Sequence, residues 1–186
     1  MYNELVILGL LMEGPRHGYE LLRLIRERGM HEYINLAMSS MYKTLERLSS
    51  QGYIEAHTER VGPRPERRVY RITPEGEEHL RGLLREALYR VEPYYDPLYA
   101  ALTFAKYIPQ EEVIDALGER RKRHLEEIRH LEEVLEEVRA IAEQHGVDTF
   151  YAEAILKGGI EVLKAEVEWL KGVCAELERR DDRWNR

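Results

Sequence analysis

Residues 38–73 read MSSMYKTLERLSSQGYIEAHTERVGPRPERRVYRIT, and the order of elements inside this stretch decides the fold. Met41, Leu45 and Leu48 fall at i, i+4 and i+7, so a 3.6-residue period puts them on one buried face, with Ser40, Lys43 and Arg47 on the opposite one. Gly52 stops this helix. Ile54, Ala56 and Thr58 then alternate with Glu55, His57 and Glu59 in the pattern of a half-buried strand, and a second strand follows from Arg67 to Ile72. Between the strands, Gly62-Pro63-Arg64-Pro65-Glu66 contains two prolines and a glycine and is a hairpin tip, because neither a helix nor a central strand accepts them.

A helix, a glycine stop and a cationic hairpin form a geometry suited to duplex DNA. The polar N-terminal half of the helix can enter a major groove about 12 Å wide, while the hairpin reaches flanking phosphates. The candidate contacts are Ser39 and Ser40 near the free backbone N–H groups, Tyr42 at the border of the two faces, and Lys43 and Arg47 on the outer face. Arg64, Arg67 and Arg68 add to them from the hairpin. The net charge of −7 opposes nucleic-acid binding overall, but the charge is unevenly placed. From Tyr42 to Thr73, seven basic residues (Lys43, Arg47, Arg60, Arg64, Arg67, Arg68, Arg71) face four acidic ones (Glu46, Glu55, Glu59, Glu66), a local balance of +3. Screening acts over roughly 8 Å at physiological salt, so the acidic C-terminal half weakens non-specific binding without preventing specific binding.

Upstream, Leu5, Leu8 and Leu11 open a helix that is apolar nearly all round and must be buried on several sides; Gly14-Pro15 ends it. A second helix is expected from about Arg16 to Arg28, closed by Gly29, with 30–37 as a linker. Downstream, Thr73-Pro74 is an N-cap followed by proline at the first helical position, and Glu75, Glu77 and Glu78 suit the positive end of the dipole of a helix running to about Val91. Residues 1–90 are therefore expected to form a winged-helix DNA-binding domain.

His17-Gly18-Tyr19-Glu20-Leu21, Ser40 to Leu48 (SMYKTLERL), Gly52-Tyr53-Ile54 and Arg67 to Gly76 (RRVYRITPEG) together resemble the PadR family of transcriptional regulators over the first 80 or so residues. The C-terminal helices are similar in length and character to those of the larger members, which carry a separate dimerisation domain. The resemblance implies a dimeric winged-helix repressor, often released from DNA by a small aromatic or phenolic compound. It places Ser40, Tyr42 and Lys43 at the DNA-reading start of the third helix and Arg67 on the wing. Where the family often has Gly-Thr-Leu-Tyr this chain has Ser39-Ser40-Met41-Tyr42, and the wing here carries two prolines, so the base sequence read does not transfer.

Residues 91–108 are an aromatic-rich junction broken by Pro93 and Pro97. Tyr89, Tyr94, Tyr95, Tyr99, Phe104 and Tyr107 crowd here, either as the lining of an aromatic-effector pocket or as a seam of packed rings. Residues 109–186 are expected to be a helical, coiled-coil-like dimerisation domain. Ile114, Leu117, Arg121, His124, Ile128, Leu131, Leu135, Val138 and Ala142 keep a 3-4 spacing in one long helix, and Arg121 and His124 are read as register-setting interruptions. Leu156, Ile160, Leu163, Val167, Leu170, Cys174 and Leu177 repeat the device in a second, with Ile155, Val162, Trp169 and Val173 as a stripe beside it. One seam serves the neighbouring helix and two imply a second copy, so dimerisation is assigned to Leu117, Ile128, Leu131, Leu156, Leu163, Trp169 and Leu170. Gly158-Gly159 is a local weak point or bend.

The fold expected is thus mainly α: an N-terminal winged helix-turn-helix with a two-stranded wing, plus a C-terminal long-helix dimerisation domain. The partners expected are palindromic double-stranded DNA, with half-sites about 34 Å apart, a second copy, and a small aromatic effector. No membrane, metal or cofactor is expected. The apolar start, Leu5 to Met12, lacks a basic leader and a small-residue cleavage site and is not expected to be a signal peptide, and the single cysteine, Cys174, occupies a helix seam, so the protein is expected to be cytoplasmic. No nucleotide loop, paired metal ligands or Cys/His/Asn grouping points to an enzyme. The alternative is a protein-interaction adaptor that uses the C-terminal helices and a winged helix that binds no DNA.

Overall fold

The computed structural model describes residues 2–32, 34, 36–59, 67–93 and 95–180, with only the backbone of Glu32, Glu59 and Arg67. Two compact units divide between Glu92 and Pro93.

In the first unit, α1 (Tyr2–Leu11), α2 (Gly18–Glu27), α3 (Met38–Ser50) and α4 (Pro74–Tyr89) surround an antiparallel sheet of β1 (Arg16–His17), β2 (Ile54–Glu59) and β3 (Arg67–Ile72) in the order β1-β3-β2. The core draws Ile7, Leu8 and Leu11 from α1, Leu21 and Ile25 from α2, Met41, Leu45 and Leu48 from α3, and Leu80 and Leu83 from α4. Met41, Leu45 and Leu48 are each 0% exposed, as the helical period required. Glycines at positive φ follow α2 and α3, Gly29 at 63° and Gly52 at 78°. Thr73 caps α4, its Oγ1 accepting from the Gly76 N–H (3.1 Å).

Two local expectations are corrected. Arg16 and His17 do not begin α2 but pair with Tyr70 and Val69 as a two-residue strand, too short to show any alternation. Among the described side chains of β2 only Ile54 is buried; Ala56 and Thr58 are exposed with Glu55 and His57. β2 is an edge of the sheet, so alternation in its sequence did not guarantee a cover for its second half. The Gly62–Glu66 tip lies outside the described residues.

In the second unit, α5 (Pro97–Phe104) packs Leu98 and Leu102 against Val113 and Leu117 of α6 (Gln110–His145) and Leu170 and Cys174 of α7 (Phe150–Arg179). Ile128, Leu131 and Leu135 meet Leu156, Ile160 and Val167 in a second cluster. Early α6 thus meets late α7, so the helices run antiparallel. Gly146, at φ 64°, ends α6, while α7 continues through Gly158-Gly159 without a break. Asp96 accepts from Leu98 N–H (2.7 Å), and Arg120 Nη2 donates to Asp96 Oδ2 (2.5 Å) and pairs with Glu166 Oε1 (2.8 Å), tying the start of α5 to α6 and α7. Arg120, which the seam spacing did not single out, makes this tie; of the two residues read as interruptions, His124 has its Nε2 3.1 Å from Glu166 Oε1 and Arg121 is half-buried.

The seam residues assigned to dimerisation have a nearer use. Leu117, Ile128, Leu131, Leu156 and Leu170 are buried, and Leu163 is partly buried, in the pairing of α6 with α7 inside one chain. A heptad pattern states that a helix face needs a partner but not from which chain the partner comes. Trp169, 40% exposed, is the member of that set left open to a second copy.

Candidate nucleic-acid interface

The apolar face of α3 is locked in the core, and this fixes which residues it presents outward. Ser39, Tyr42, Lys43 and Glu46 are exposed and Ser40 is half-buried. Ala37 precedes the helix and supplies no side-chain cap. The first-turn N–H groups are therefore not occupied by the preceding side chain, which suits them to an anion. Tyr42 lies across Gly18, where a Cβ would stand 2.8 Å from its ring carbon Cε1. The absence of a side chain at Gly18 thus lets the Tyr42 ring pack on the start of α2 while the residue stays 40% exposed.

Around that contact lies an open cleft of about 550 Å³ lined by His17, Gly18, Tyr19, Tyr42, Glu46, Arg68 and Tyr70. His17 holds it together. Its backbone N–H donates to Glu20 Oε2 (2.8 Å), its Nδ1 donates to the Arg68 carbonyl (3.2 Å), and its ring stacks on Tyr19 at 5.5 Å and 12°. The starts of α2 and α3 and the strand carrying Arg68 therefore meet on one surface. The wing arginine Arg68 is exposed there. Arg67 stands opposite Glu59 in the ladder, but its side chain, like the whole of Arg64, lies outside the described residues. His17, Tyr19 and Tyr70 were not read as site residues. His17 and Tyr19 stand in a motif that signals family resemblance, and only the β1–β3 pairing brings them beside Arg68.

Arg47 behaves differently from its outer-face neighbours. Its Nη1 pairs with Glu4 Oε1 at 2.5 Å, which turns the guanidinium back onto α1. Helical periodicity within α3 cannot report a partner on another helix.

Of the six aromatics assigned to an effector pocket, the five described are exposed. Tyr89 on α4 is 87% exposed; in the second unit Tyr95, Phe104 and Tyr107 are 85%, 62% and 74% exposed. Tyr94 lies outside the described residues. Tyr99 lines a groove of about 330 Å³, with Val162, Ala165, Glu166 and Trp169, and meets Trp169 edge-on at 6.0 Å and 74°. Among the described residues no group of three or more His, Cys, Asp or Glu side chains could hold a metal ion, and no helix is long and apolar enough to cross a membrane.

Two family models match, end to end along the chain. The one described as "Transcriptional regulator PadR-like family" covers residues 7–82, and "Virulence activator alpha C-term" covers residues 96–178. The negative transcriptional regulator PadR of Bacillus subtilis (strain 168) is 23% identical over 175 residues, 93% of this chain and 96% of that protein. The crystal structure of B. subtilis PadR in complex with operator DNA superposes with a TM-score of 0.75 at 22% identity, covering 94% of this chain and 98% of that one. The same protein in complex with p-coumaric acid gives 0.73 at 19% identity, covering 96% and 99%. At these identities the structures establish a shared fold, a winged helix followed by long C-terminal helices, while the family models carry the assignment. Over residues 7–82 the chain carries the domain of the PadR-like family of transcriptional regulators.

Proposed function

We propose that this regulator acts as a homodimeric repressor on a palindromic operator, with Ser39, Ser40, Tyr42 and Lys43 of α3 in the major groove and Arg64, Arg67 and Arg68 of the wing on the flanking backbone. The observation that carries this reading is the division of α3: Met41, Leu45 and Leu48 are fully buried while Ser39, Tyr42 and Lys43 are exposed, Tyr42 in the same cleft as Arg68. Such an arrangement serves a groove-reading helix, because burial of one face fixes the direction of the other. Dimerisation is supported by the stripe of Ile155, Val162 and Trp169 on α7, 47%, 67% and 40% exposed, which the α6–α7 pairing leaves uncovered. The repressor role follows the B. subtilis relative, a negative regulator.

The test is a pair of substitutions with different signatures. Tyr42→Ala should weaken binding to a duplex selected from a random pool by about 1–3 kcal/mol and relax its sequence preference. Lys43→Ala should weaken selected and scrambled duplexes alike and flatten the dependence of log K on log salt by about one unit. Unchanged titrations for both variants would remove α3 from the interface.

An aromatic effector is proposed for the groove between Tyr99 and Trp169, in analogy with the B. subtilis structure that holds p-coumaric acid. Stacking on an indole and a phenol ring suits a planar ligand. Titration with a panel of phenolic acids should quench Trp169 fluorescence and lower DNA affinity together. A panel that leaves both unchanged contradicts this part of the reading.

A further inference from the structure

Glu4 is the third residue of α1 and is only 7% exposed, an unusual place for a carboxylate. A buried charge is tolerated when its oxygens are engaged, and here both are. Oε1 pairs with Arg47 Nη1 at 2.5 Å, and Oε2 accepts from His79 Nε2 at 2.8 Å. Burial opposes the charged form of Glu4, but the hydrogen bonds from His79 and Arg47 and the charge of Arg47 outweigh it and hold the carboxyl below its ordinary value. Glu4 is therefore ionised at neutral pH. His79 in turn lies flat on Tyr53, 4.1 Å between ring centres and 4° between planes. The Tyr53 N–H donates to the Leu48 carbonyl (3.0 Å), and its own carbonyl accepts from Thr73 N–H (3.1 Å). One carboxylate thus joins the start of α1, the last turn of α3 and the second turn of α4.

From this geometry we propose that Arg47 is a positioning residue rather than a DNA contact: held by Glu4, it pins the C-terminal end of α3 and thereby aims the N-terminal half that carries Ser39, Tyr42 and Lys43. The inference rests on the reading of α3 as the helix that meets DNA. Its physical basis is leverage. Ser39 lies eight residues before Arg47, about 12 Å along α3 at about 1.5 Å per residue, so a tilt of about 5° at the pinned end moves it by roughly 1 Å. Hydrogen bonds to base edges do not survive a displacement of that size. Contacts to phosphate from mobile lysines and arginines do, because they depend mainly on charge.

The test uses the full chain, one duplex selected from a random pool and one scrambled duplex, each titrated across a salt series. Arg47→Ala and Glu4→Gln should each weaken the selected duplex by about tenfold, the scale of one misread base pair. The double variant should be no worse than either single one, since both cut the same link. Scrambled-duplex affinity and the salt slope should not move. Arg47→Gln, which keeps a hydrogen-bond donor for Glu4 without the charge, should recover part of the loss at an unchanged slope. That variant decides the matter alone if Arg47→Ala does not fold. A slope flattened by about 0.9 in Arg47→Gln or Arg47→Ala, with both duplexes weakened equally and Glu4→Gln without effect, would make Arg47 a phosphate contact and overturn the proposal. Loss of all DNA binding by the unmodified chain would instead be a failure of the reading of α3 itself.

Discussion

Replacing Gly76 with alanine should destabilise the N-terminal unit by on the order of 3 kcal/mol, which for a unit of this size lowers its melting temperature by roughly 15 °C. Gly76 lies in the first turn of α4, where a Cβ would stand 2.0 Å from the Tyr53 carbonyl oxygen and 2.9 Å from its carbonyl carbon. These are backbone atoms and cannot swing aside as a side chain would. The same carbonyl accepts from Thr73 N–H, so displacing it also disturbs the link into the α4 cap. Gly82, on the same helix, has nothing within 4 Å of its Cβ position. Gly82→Ala should be neutral or stabilising by up to about 1 kcal/mol, since alanine is the better helix former. Thermal unfolding followed by circular dichroism separates the two variants; equal melting temperatures would show that the close approach of α4 to Tyr53 is not a constraint.

The second large effect is expected on assembly. If the proposed homodimer forms through the α7 stripe, Val162→Glu together with Trp169→Glu should give a monomer and reduce operator affinity by at least about a hundredfold, because two coupled half-site contacts become one. Both positions are exposed in the single chain, at 67% and 40%, so helical content should be retained. Leu170→Ala is the contrast. Leu170 is 0% exposed between α5, α6 and α7, and its truncation should cost about 2–5 kcal/mol of folding stability instead. Light scattering coupled to size exclusion reads the first effect and chemical denaturation the second. A Val162→Glu/Trp169→Glu protein that remains dimeric would move the interface off this stripe.

The sequence was most informative where short-range rules act alone. The Met41–Leu45–Leu48 face, the glycine stops at Gly29 and Gly52 and the Thr73 cap each depend on a few consecutive residues, and each is present in the structure. It was least informative where a residue's partner lies far along the chain. Arg47 looks like a free surface cation until α1 brings Glu4 beside it. Arg16-His17 looks like the start of a helix until β3 pairs with it. The heptads of α6 and α7 announced their need for cover correctly, yet the cover for Leu131 and Leu156 comes from the same chain. For the aromatic residues from Tyr89 to Tyr107 the sequence left pocket and seam both open, and Tyr89, Tyr95 and Tyr107 are exposed in the single chain. Composition counts rings without ordering them in space.

Selection of duplex DNA from a random pool by the full-length chain, followed by titration of the winning duplex across a salt series, tests the account most directly. A regulator that reads DNA through α3 and the wing should enrich a palindrome, prefer it over scrambled sequence by about a thousandfold or more, and lose affinity steeply as salt rises. A pool that returns no common sequence, together with a flat salt dependence, would contradict that account and leave the C-terminal helices as the chain's working surface.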